Sequence, residues 1–394
     1  MNILICNVGS TSLKYQLFAM EDAERVIAAG GAERVGAKES LFYRTADGQK
    51  LQETCVFPTH REAIQKMLEY LPEDEAVDCV GFKVVHAKGV TGVQELNDDV
   101  LAAMEAFNSV APAHNPPYLA AIRQFRALMP GTPLIGSFET AFHANMPPEA
   151  SLYSIPWELT EKHAIHRYGF HGASHEYLTN WVSERMGRTD LRLVSCHLGG
   201  SGSLTAVRAG QSIDTTMGLS LQCGVMQNNR IADIDPYIIF YLVEECGMTL
   251  QEVKTMLQTK SGLLGMSGVS NDLRDVEEAA AAGNERAANA VKAYTYGIKK
   301  YIGSYAAALG GLDAIVFGGG IGRNSVTVRQ QALEGLEFFG VELDPDKNSC
   351  AKGGDDISRD GSRVRIFVVD TNEEIVVARK AAALLKSRGE EARA

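Results

Sequence analysis

Short apolar runs alternate along the chain with longer segments of helical periodicity. Residues 3–6, 80–85, 193–196 and 314–317 are apolar over about the length of a buried strand. Residues 284–309 instead place apolar side chains at every third or fourth position, and this pattern stops at a pair of glycines. The alternation of the two patterns predicts an α/β fold.

One pattern of strand, Gly/Ser turn and second strand occurs twice, as ILICNVGSTSLKYQLF from Ile3 and as LVSCHLGGSGSLTAVR from Leu193. A single turn of this kind fits any hairpin, but two of them suggest a duplicated domain whose halves each present a phosphate loop. This arrangement is typical of actin-like (ribonuclease H-like) kinases, with nucleotide in the cleft between the domains. We therefore expect two mixed five-stranded sheets flanked by helices.

The domain boundary is expected near residue 150, with no low-complexity linker. We predict an N-terminal actin-like domain of residues 1–149 plus 378–394, to which the last helix returns. The C-terminal actin-like domain is predicted over residues 150–377.

Composition limits the classes of partner. A net charge of −11 without a Lys/Arg run argues against nucleic acid and against an anionic membrane. Seven scattered cysteines without CxxC spacing suit reduced thiols, so we expect a cytoplasmic protein. We find no pattern of a signal peptide or of a membrane span. A small soluble ligand is the better expectation.

The turn of the first hairpin has the composition of a phosphate loop. Gly and small hydroxyl residues let backbone N–H groups approach oxygen, and a cation stands alongside. Here the relevant residues are Asn7, Ser10, Ser12 and Lys14. A plain hairpin turn with Lys14 in solvent is an equally open interpretation of this segment alone.

Two further glycine loops are candidates for nucleotide binding. The first has no cation, and the second lies between a buried strand and a helix, as in many nucleotide sites. Neither matches the dinucleotide or the Walker fingerprint. Their candidate residues are His197, Gly199, Gly200, Ser201 and Gly202 in the first loop, and Gly319, Gly320, Ile321, Gly322 and Asn324 in the second.

Ten segments in order make a specific resemblance. They are CNVGSTSLKY, VAPAHNPP, ETAFHANMP, YGFHGASH, CHLGGSGS, DTTMG, ADIDP, SGLLGMSG, GGGIGRNS and TNEEIVVAR. In order and spacing they resemble the acetate kinase family, from residue 2 to about residue 380. The resemblance implies a reversible, direct in-line transfer of phosphoryl from ATP to a short-chain carboxylate, acetate first, giving ADP and an acyl phosphate. It also implies Mg2+, with Mn2+ as an alternative, and a homodimer formed through the second half of the chain.

The resemblance also implies roles for single residues. Arg230 is expected on the transferring phosphoryl group with His171, and Lys83 on the acceptor carboxylate. Glu139 is expected to organise the metal, which Asn7 and Glu373 would bind. Which of Glu373 and Glu374 reaches the metal stays open, because Thr371 followed by Glu374 also predicts a capping box for the last helix. His114 is assigned an orienting or loop role. The expected acyl pocket comprises Val85, Ala113, Phe170 and Leu221.

Several residues depart from the family pattern. Lys83 replaces an arginine and Glu139 an aspartate, which keeps the charges but changes reach and geometry. Ala113 replaces a leucine, so an enlarged pocket for propionate or butyrate is an alternative to acetate. Gly200 replaces an asparagine and Arg323 a glutamate on the nucleotide side.

Three functions remain open from sequence. The first is the carboxylate kinase, and the second is a catalytically weakened nucleotide-binding homologue. The third is a kinase for another acceptor such as a sugar, for which no carboxylate base among hydroxyl-binding neighbours stands out. A zinc site for the histidines lacks any HExxH, HxH or Cys-pair spacing.

Overall fold

The computed structural model of the chain describes residues 1–46, 48–72 and 75–391. It forms two compact units. The first unit comprises Met1–Ala144 with Asn372–Ala394, and the second comprises Asn145–Thr371. The predicted boundaries lie a few residues further along the chain. No helix within the described residues is long and apolar enough to cross a bilayer.

The first unit is built on a mixed sheet. Within the described residues this sheet has eight strands in the order β5-β4-β3-β2-β1-β6-β8-β7, so the predicted number of five is wrong. The additional strands β3 to β5 extend the first hairpin as an antiparallel meander. The strands are β1 (Asn2–Gly9), β2 (Ser12–Ala19), β3 (Arg25–Glu33), β4 (Ser40–Ala46), β5 (Gln49–Cys55), β6 (Cys79–Val84), β7 (Val93–Glu95) and β8 (Leu134–Phe138).

Helices cover the parallel part of this sheet, where β1, β6 and β8 are buried. The helices are α1 (His60–Glu69), α2 (Asp98–Ala106), α3 (Asn115–Leu128) and the last helix, α15 (Glu373–Glu391), and a 3-10 turn spans Ala141–His143. Helix α15 is capped by Asn372, whose Oδ1 accepts from the N–H of Ile375 at 3.1 Å. The predicted capping box of Thr371 and Glu374 is therefore wrong by one residue. Asparagine caps as well as threonine, and Glu374 is bonded elsewhere.

The second unit has a mixed sheet of six strands among the described residues, in the order β11-β10-β9-β12-β14-β13, so five is again wrong. Its additional edge strand β13 is only two residues long. The second predicted hairpin is present as β9 and β10. The strands are β9 (Arg192–Leu198), β10 (Gly202–Arg208), β11 (Gln211–Thr215), β12 (Ala314–Gly318), β13 (Asp355–Asp356) and β14 (Arg365–Val368).

The longest helix of the second unit is the one predicted from apolar side chains at every third or fourth position over residues 284–309. The Asn284 side chain accepts from the Ala287 N–H at 3.1 Å, and Gly310 ends the helix in the left-handed conformation. Tyr294, Ile298 and Tyr305 of this helix are buried in the core of the unit. The helices are α4 (Pro148–Ser151), α5 (Trp157–His163), α6 (Gly172–Met186), α7 (Tyr237–Glu244), α8 (Leu250–Thr259), α9 (Gly262–Ser267), α10 (Leu273–Ala281), α11 (Glu285–Leu309), α12 (Gly319–Asn324), α13 (Val326–Leu333) and α14 (Pro345–Ser349), with a 3-10 turn at Glu337–Phe339.

Candidate active site

In the first unit, charged side chains gather where parallel strands end. Lys83 is near the end of β6, and Glu139 directly follows the neighbouring strand β8. The Lys83 ammonium contacts the carboxylate of Glu373 at the start of α15, and its Nζ lies 3.5 Å from Glu139 Oε1. Two strands and one helix thus bring three of the predicted residues together.

The charge state of this cluster follows from its burial. Burial alone would lower the pKa of Lys83, but the negative charges of Glu139 and Glu373 raise it well above its ordinary value. Lys83 is therefore a cation, and the cluster carries more carboxylates than cations. A further positive charge would be stabilised here.

Asn7, at the end of β1, belongs to the same cluster. Its Nδ2 donates to Glu374 Oε1 at 3.1 Å, and its Oδ1 accepts from the Tyr118 hydroxyl at 3.1 Å. The two glutamates that begin α15 thus have different partners, Lys83 for Glu373 and Asn7 for Glu374. Both lie at the positive end of the helix dipole.

The turn between β1 and β2 is stabilised by a side chain from outside the hairpin, that of His60. The His60 ring nitrogen Nε2 lies 2.9 Å from the Gly9 carbonyl oxygen and 3.3 Å from that of Ser12. Ser10 and Lys14 are exposed and available to a ligand, while Ser12 is half-buried.

The two glycine loops of the second unit lie side by side. Strands β9 and β12 are parallel neighbours, with Gly318 paired to His197, so both loops begin at one edge of the sheet. Gly319 has a φ of 73°, and a Cβ there would lie 2.6 Å from the Leu198 carbonyl oxygen, so only glycine permits this close approach. The second predicted loop is in fact the short helix α12 (Gly319–Asn324), in which Asn324 Nδ2 donates to the Gly320 carbonyl oxygen at 2.8 Å.

A network of histidines and serines adjoins these loops. The rings of His171 and His197 stack at 4.3 Å. His171 Nδ1 and His175 Nε2 both bond the Ser203 hydroxyl, at 2.9 Å and 2.7 Å. A second hydroxyl, Ser174 Oγ, lies 2.7 Å from His197 Nδ1. His171 has a φ of 58°, a left-handed conformation that costs energy for a side chain of this kind and is concentrated at functional sites.

Arg230 lies on the loop that supports the first glycine loop, where the Asn228 N–H donates to the Gly200 carbonyl oxygen at 3.1 Å. Ser201 Oγ donates to Gln227 Oε1 of the same segment at 2.9 Å. Burial lowers the pKa of Arg230 to about 10, so it remains a cation at neutral pH. Among the described residues no carboxylate forms a salt bridge with Arg230, and Asp233 instead accepts from the N–H of Gly224.

The predicted acyl-pocket residues are divided between the units. Val85 of the first unit, and Phe170 and Leu221 of the second, are buried, whereas Ala113 is exposed at the loop before α3. His114 occupies the N-cap position of α3 without a side-chain capping bond. The neighbouring Asn115 holds this helix end, because its Nδ2 donates to the carbonyl oxygens of His86 and Met104.

The donor set of the first unit fits a magnesium ion. Asn7, Glu139, Glu373 and Glu374 present hard oxygens, which Mg2+ prefers. In the part of the chain that the structure describes, no three His, Cys, Asp or Glu side chains are grouped to hold a metal ion. Mg2+ is commonly bound through only one or two carboxylates and takes its other ligands from phosphate and water.

Sequence reasoning missed three residues that support these groups. They are His60, Tyr118 and Ser203, each bonded to a predicted residue or loop. Tyr118 directly follows the quoted segment VAPAHNPP, and Ser203 is the last residue of the quoted segment CHLGGSGS. A position beside or within a motif was thus a signal for these two residues, and none existed for His60.

Comparison with known proteins accords with this geometry. Residues 2–379 match the model of the acetokinase family. Acetate kinase of Natranaerobius thermophilus is 43% identical, covering 98% of this chain and 100% of its own length. The crystal structure of Porphyromonas gingivalis acetate kinase superposes with a TM-score of 0.87 at 35% identity, covering 98% of this chain and 99% of that one. A propionate kinase from Francisella tularensis superposes with a TM-score of 0.89 at 33% identity, covering 96% and 98%.

Proposed function

Because the chain belongs to the acetokinase family, we propose that it transfers the terminal phosphoryl group of ATP to acetate, giving ADP and acetyl phosphate. It is thus a phosphotransferase with a carboxyl group as acceptor, and ATP is its co-substrate. The reaction is reversible, since an acyl phosphate is itself a strong phosphoryl donor. We propose a direct in-line transfer without a covalent enzyme intermediate.

One observation carries the phosphate side of this proposal. Two glycine loops leave one edge of the second sheet together, beside a stacked histidine pair and the cationic Arg230 segment. Backbone N–H groups and nearby cations are what a transferring phosphoryl group requires, because catalysis of this transfer rests on positioning and positive charge. We assign Arg230 and His171 to the transferring group.

The first unit supplies the acceptor side in this proposal. Lys83 holds the acceptor carboxylate, for which it must share its contacts with Glu139 and Glu373. Ser10, Ser12 and Lys14 bind phosphate from the first hairpin turn. Mg2+, or Mn2+ in its place, would be held by Asn7 and Glu373 and organised by Glu139. When bound, the metal neutralises charge that develops on the phosphate oxygens.

A longer acid is a second candidate acceptor. Ala113 presents only a methyl group at its exposed position, and one similar structure is a propionate kinase. A hydrophobic pocket discriminates by about 1 to 3 kcal/mol for each methylene group. Propionate, which is one methylene longer, would therefore be turned over within roughly one to two orders of magnitude of acetate, and butyrate, which is two longer, within about two to four.

We further propose a homodimer through the second unit. Every residue of α7 (Tyr237–Glu244) remains at least partly accessible, although the helix has the sequence YIIFYLVE. A second copy of the chain is the occupant that would cover it, since an exposed apolar surface of this kind marks an interface. We place the enzyme in the cytoplasm, which suits seven cysteines that form no disulfide.

An acyl hydroxamate assay tests the proposed activity. The protein is incubated with MgATP, hydroxylamine and formate, acetate, propionate or butyrate. We expect hydroxamate with acetate and a loss of about three orders of magnitude in Arg230→Ala, since a transition-state cation of this kind is worth roughly 10³-fold or more. Arg274→Ala, at an exposed arginine, is the matched control. Binding of ATP without product from any acid would instead favour the catalytically weakened homologue.

A further inference from the structure

The side chain of Tyr118 is buried, and its hydroxyl is directed at a residue of the candidate site. It lies on α3, is 4% exposed, and directs its hydroxyl at Asn7 Oδ1 across 3.1 Å. The hydroxyl therefore lies over the end of β1, where the metal-side asparagine stands.

The hydrogen bonds define which way the Asn7 carboxamide faces. Its Nδ2 donates to Glu374 Oε1 at 3.1 Å. If the carboxamide were turned over, its oxygen would face the Glu374 carboxylate, and two acceptors would repel each other. The oxygen must therefore face Tyr118, and the Tyr118 O–H must donate to it.

The phenol hydroxyl of Tyr118 has one proton, which it donates to the Asn7 carboxamide oxygen. An amide oxygen has two lone pairs. One of them accepts the hydrogen bond from Tyr118, and this bond fixes the direction of the other.

We propose that Tyr118 is a positioning residue, which through its hydroxyl orients the Asn7 carboxamide oxygen toward the divalent metal of the bound nucleotide. The inference rests on the proposed role of Asn7 as a metal-side residue. Tyr118 acts through Asn7 and touches no reacting atom. Groups that orient metal ligands in this way typically set metal affinity by about 10- to 100-fold.

Manganese binding to the full-length protein tests the inference. The dissociation constant of Mn2+ is measured by electron paramagnetic resonance in the presence of ADP, for the wild type, Tyr118→Phe and Asn7→Ala. We expect Tyr118→Phe to weaken Mn2+ binding roughly tenfold. We also expect its apparent KM for Mg2+ to rise by more than its kcat falls. Tyr294→Phe is the matched control, because it removes another buried hydroxyl, one without a hydrogen-bond partner among the described residues.

The outcomes separate the inference from the proposal beneath it. Wild-type Mn2+ affinity in Tyr118→Phe, with weakened binding in Asn7→Ala, overturns the role of Tyr118 alone. Unchanged affinity in both variants overturns the metal role of Asn7 and the inference with it. Urea denaturation of Tyr118→Phe distinguishes a specific loss of Mn2+ affinity from a damaged fold. An equal effect of Tyr294→Phe on Mn2+ binding would also contradict the inference.

Discussion

At the residue scale, Lys83 and Glu139 are matched in length. The Lys83 ammonium reaches Glu373 and lies 3.5 Å from Glu139 in a mostly buried cluster. Arginine carries a larger planar group, which in the same space requires a shorter carboxylate opposite. We predict that Lys83→Arg and Glu139→Asp each reduce kcat/KM for acetate about tenfold, with a coupling of about 1 to 2 kcal/mol between them.

The double variant Lys83→Arg/Glu139→Asp provides the measurement. If the two residues are a compensated pair, its kcat/KM recovers toward that of the wild type. A loss equal to the product of the two single losses would mean that the residues act independently.

Ser203 is a second residue whose contribution can be isolated. Its hydroxyl has one proton to share between His171 Nδ1 and His175 Nε2, so it fixes the tautomer of one ring relative to the other. We predict that Ser203→Ala lowers kcat about tenfold and changes the KM for ATP little. Ser195→Ala is the control, because Ser195 bonds the other histidine of this pair, through Nδ1 of His175. Equal losses in the two variants would contradict a specific role in orienting His171.

The sequence motifs nominated candidate site residues but indicated few of the partners that the structure gives these side chains. Lys83 and Glu373 are 290 positions apart, and Asn7 and Glu374 are 367 apart, so no local pattern relates them. The capping assignment failed for a related reason. Thr371 and Asn372 are both good N-cap residues, and Glu374, the expected capping partner of Thr371, is instead bonded to the distant Asn7.

At the scale of elements, Asp313 joins the two parallel strands that lead to the glycine loops. Its carboxylate accepts from the side chain of Arg192 at 3.1 Å and from the backbone N–H of Arg192 at 2.8 Å. These bonds connect the start of β9 with the start of β12, and the Arg192 hydrogen bond lowers the pKa of Asp313. A carboxyl group with a lowered pKa stabilises the fold above its ordinary pKa, and this contribution is lost as the pH falls through the lowered value.

We predict that Asp313→Asn destabilises the second unit by about 1 to 2 kcal/mol near neutral pH. The difference from the wild type should shrink as the pH falls below about 4, where the carboxylate becomes protonated. Urea denaturation followed by tryptophan fluorescence reports on this unit, since both tryptophans, Trp157 and Trp181, belong to it. Asp190→Asn, at an exposed partner of Arg188, should change little. A pH-independent difference would exclude the charge as its cause.

The width of the sheets shows which elements sequence can and cannot predict. The central strands β1, β6, β9 and β12 are buried and therefore appear as apolar runs. Strand β5, with the sequence QKLQETC, is half exposed and has no such run. Strand β5 is an edge strand that is specified by its pairing with β4, so its own sequence pattern did not predict it.

At the scale of the whole molecule, the open question is what covers α7. Phe240 is 53% exposed and Tyr241 is 62% exposed in the isolated chain. Apolar side chains on one short helix are stabilised when they are buried in an interface, by about 25 cal/mol for each Å² removed from water. A symmetric dimer would bury this helix twice, once from each copy.

We predict a dimer in sedimentation velocity at micromolar concentration, and a monomer for Phe240→Asp, because a buried aspartate without a partner costs several kcal/mol. Phe338→Asp is the matched control, since Phe338 is 74% exposed on the separate 3-10 turn Glu337–Phe339 of the same unit. A monomeric wild type would show that this dimer does not form. A dimer that persists in Phe240→Asp and dissociates in Phe338→Asp would place the interface away from α7. Because the active-site residues lie outside α7, hydroxamate formation by the monomeric variant would also determine whether one chain is sufficient for catalysis.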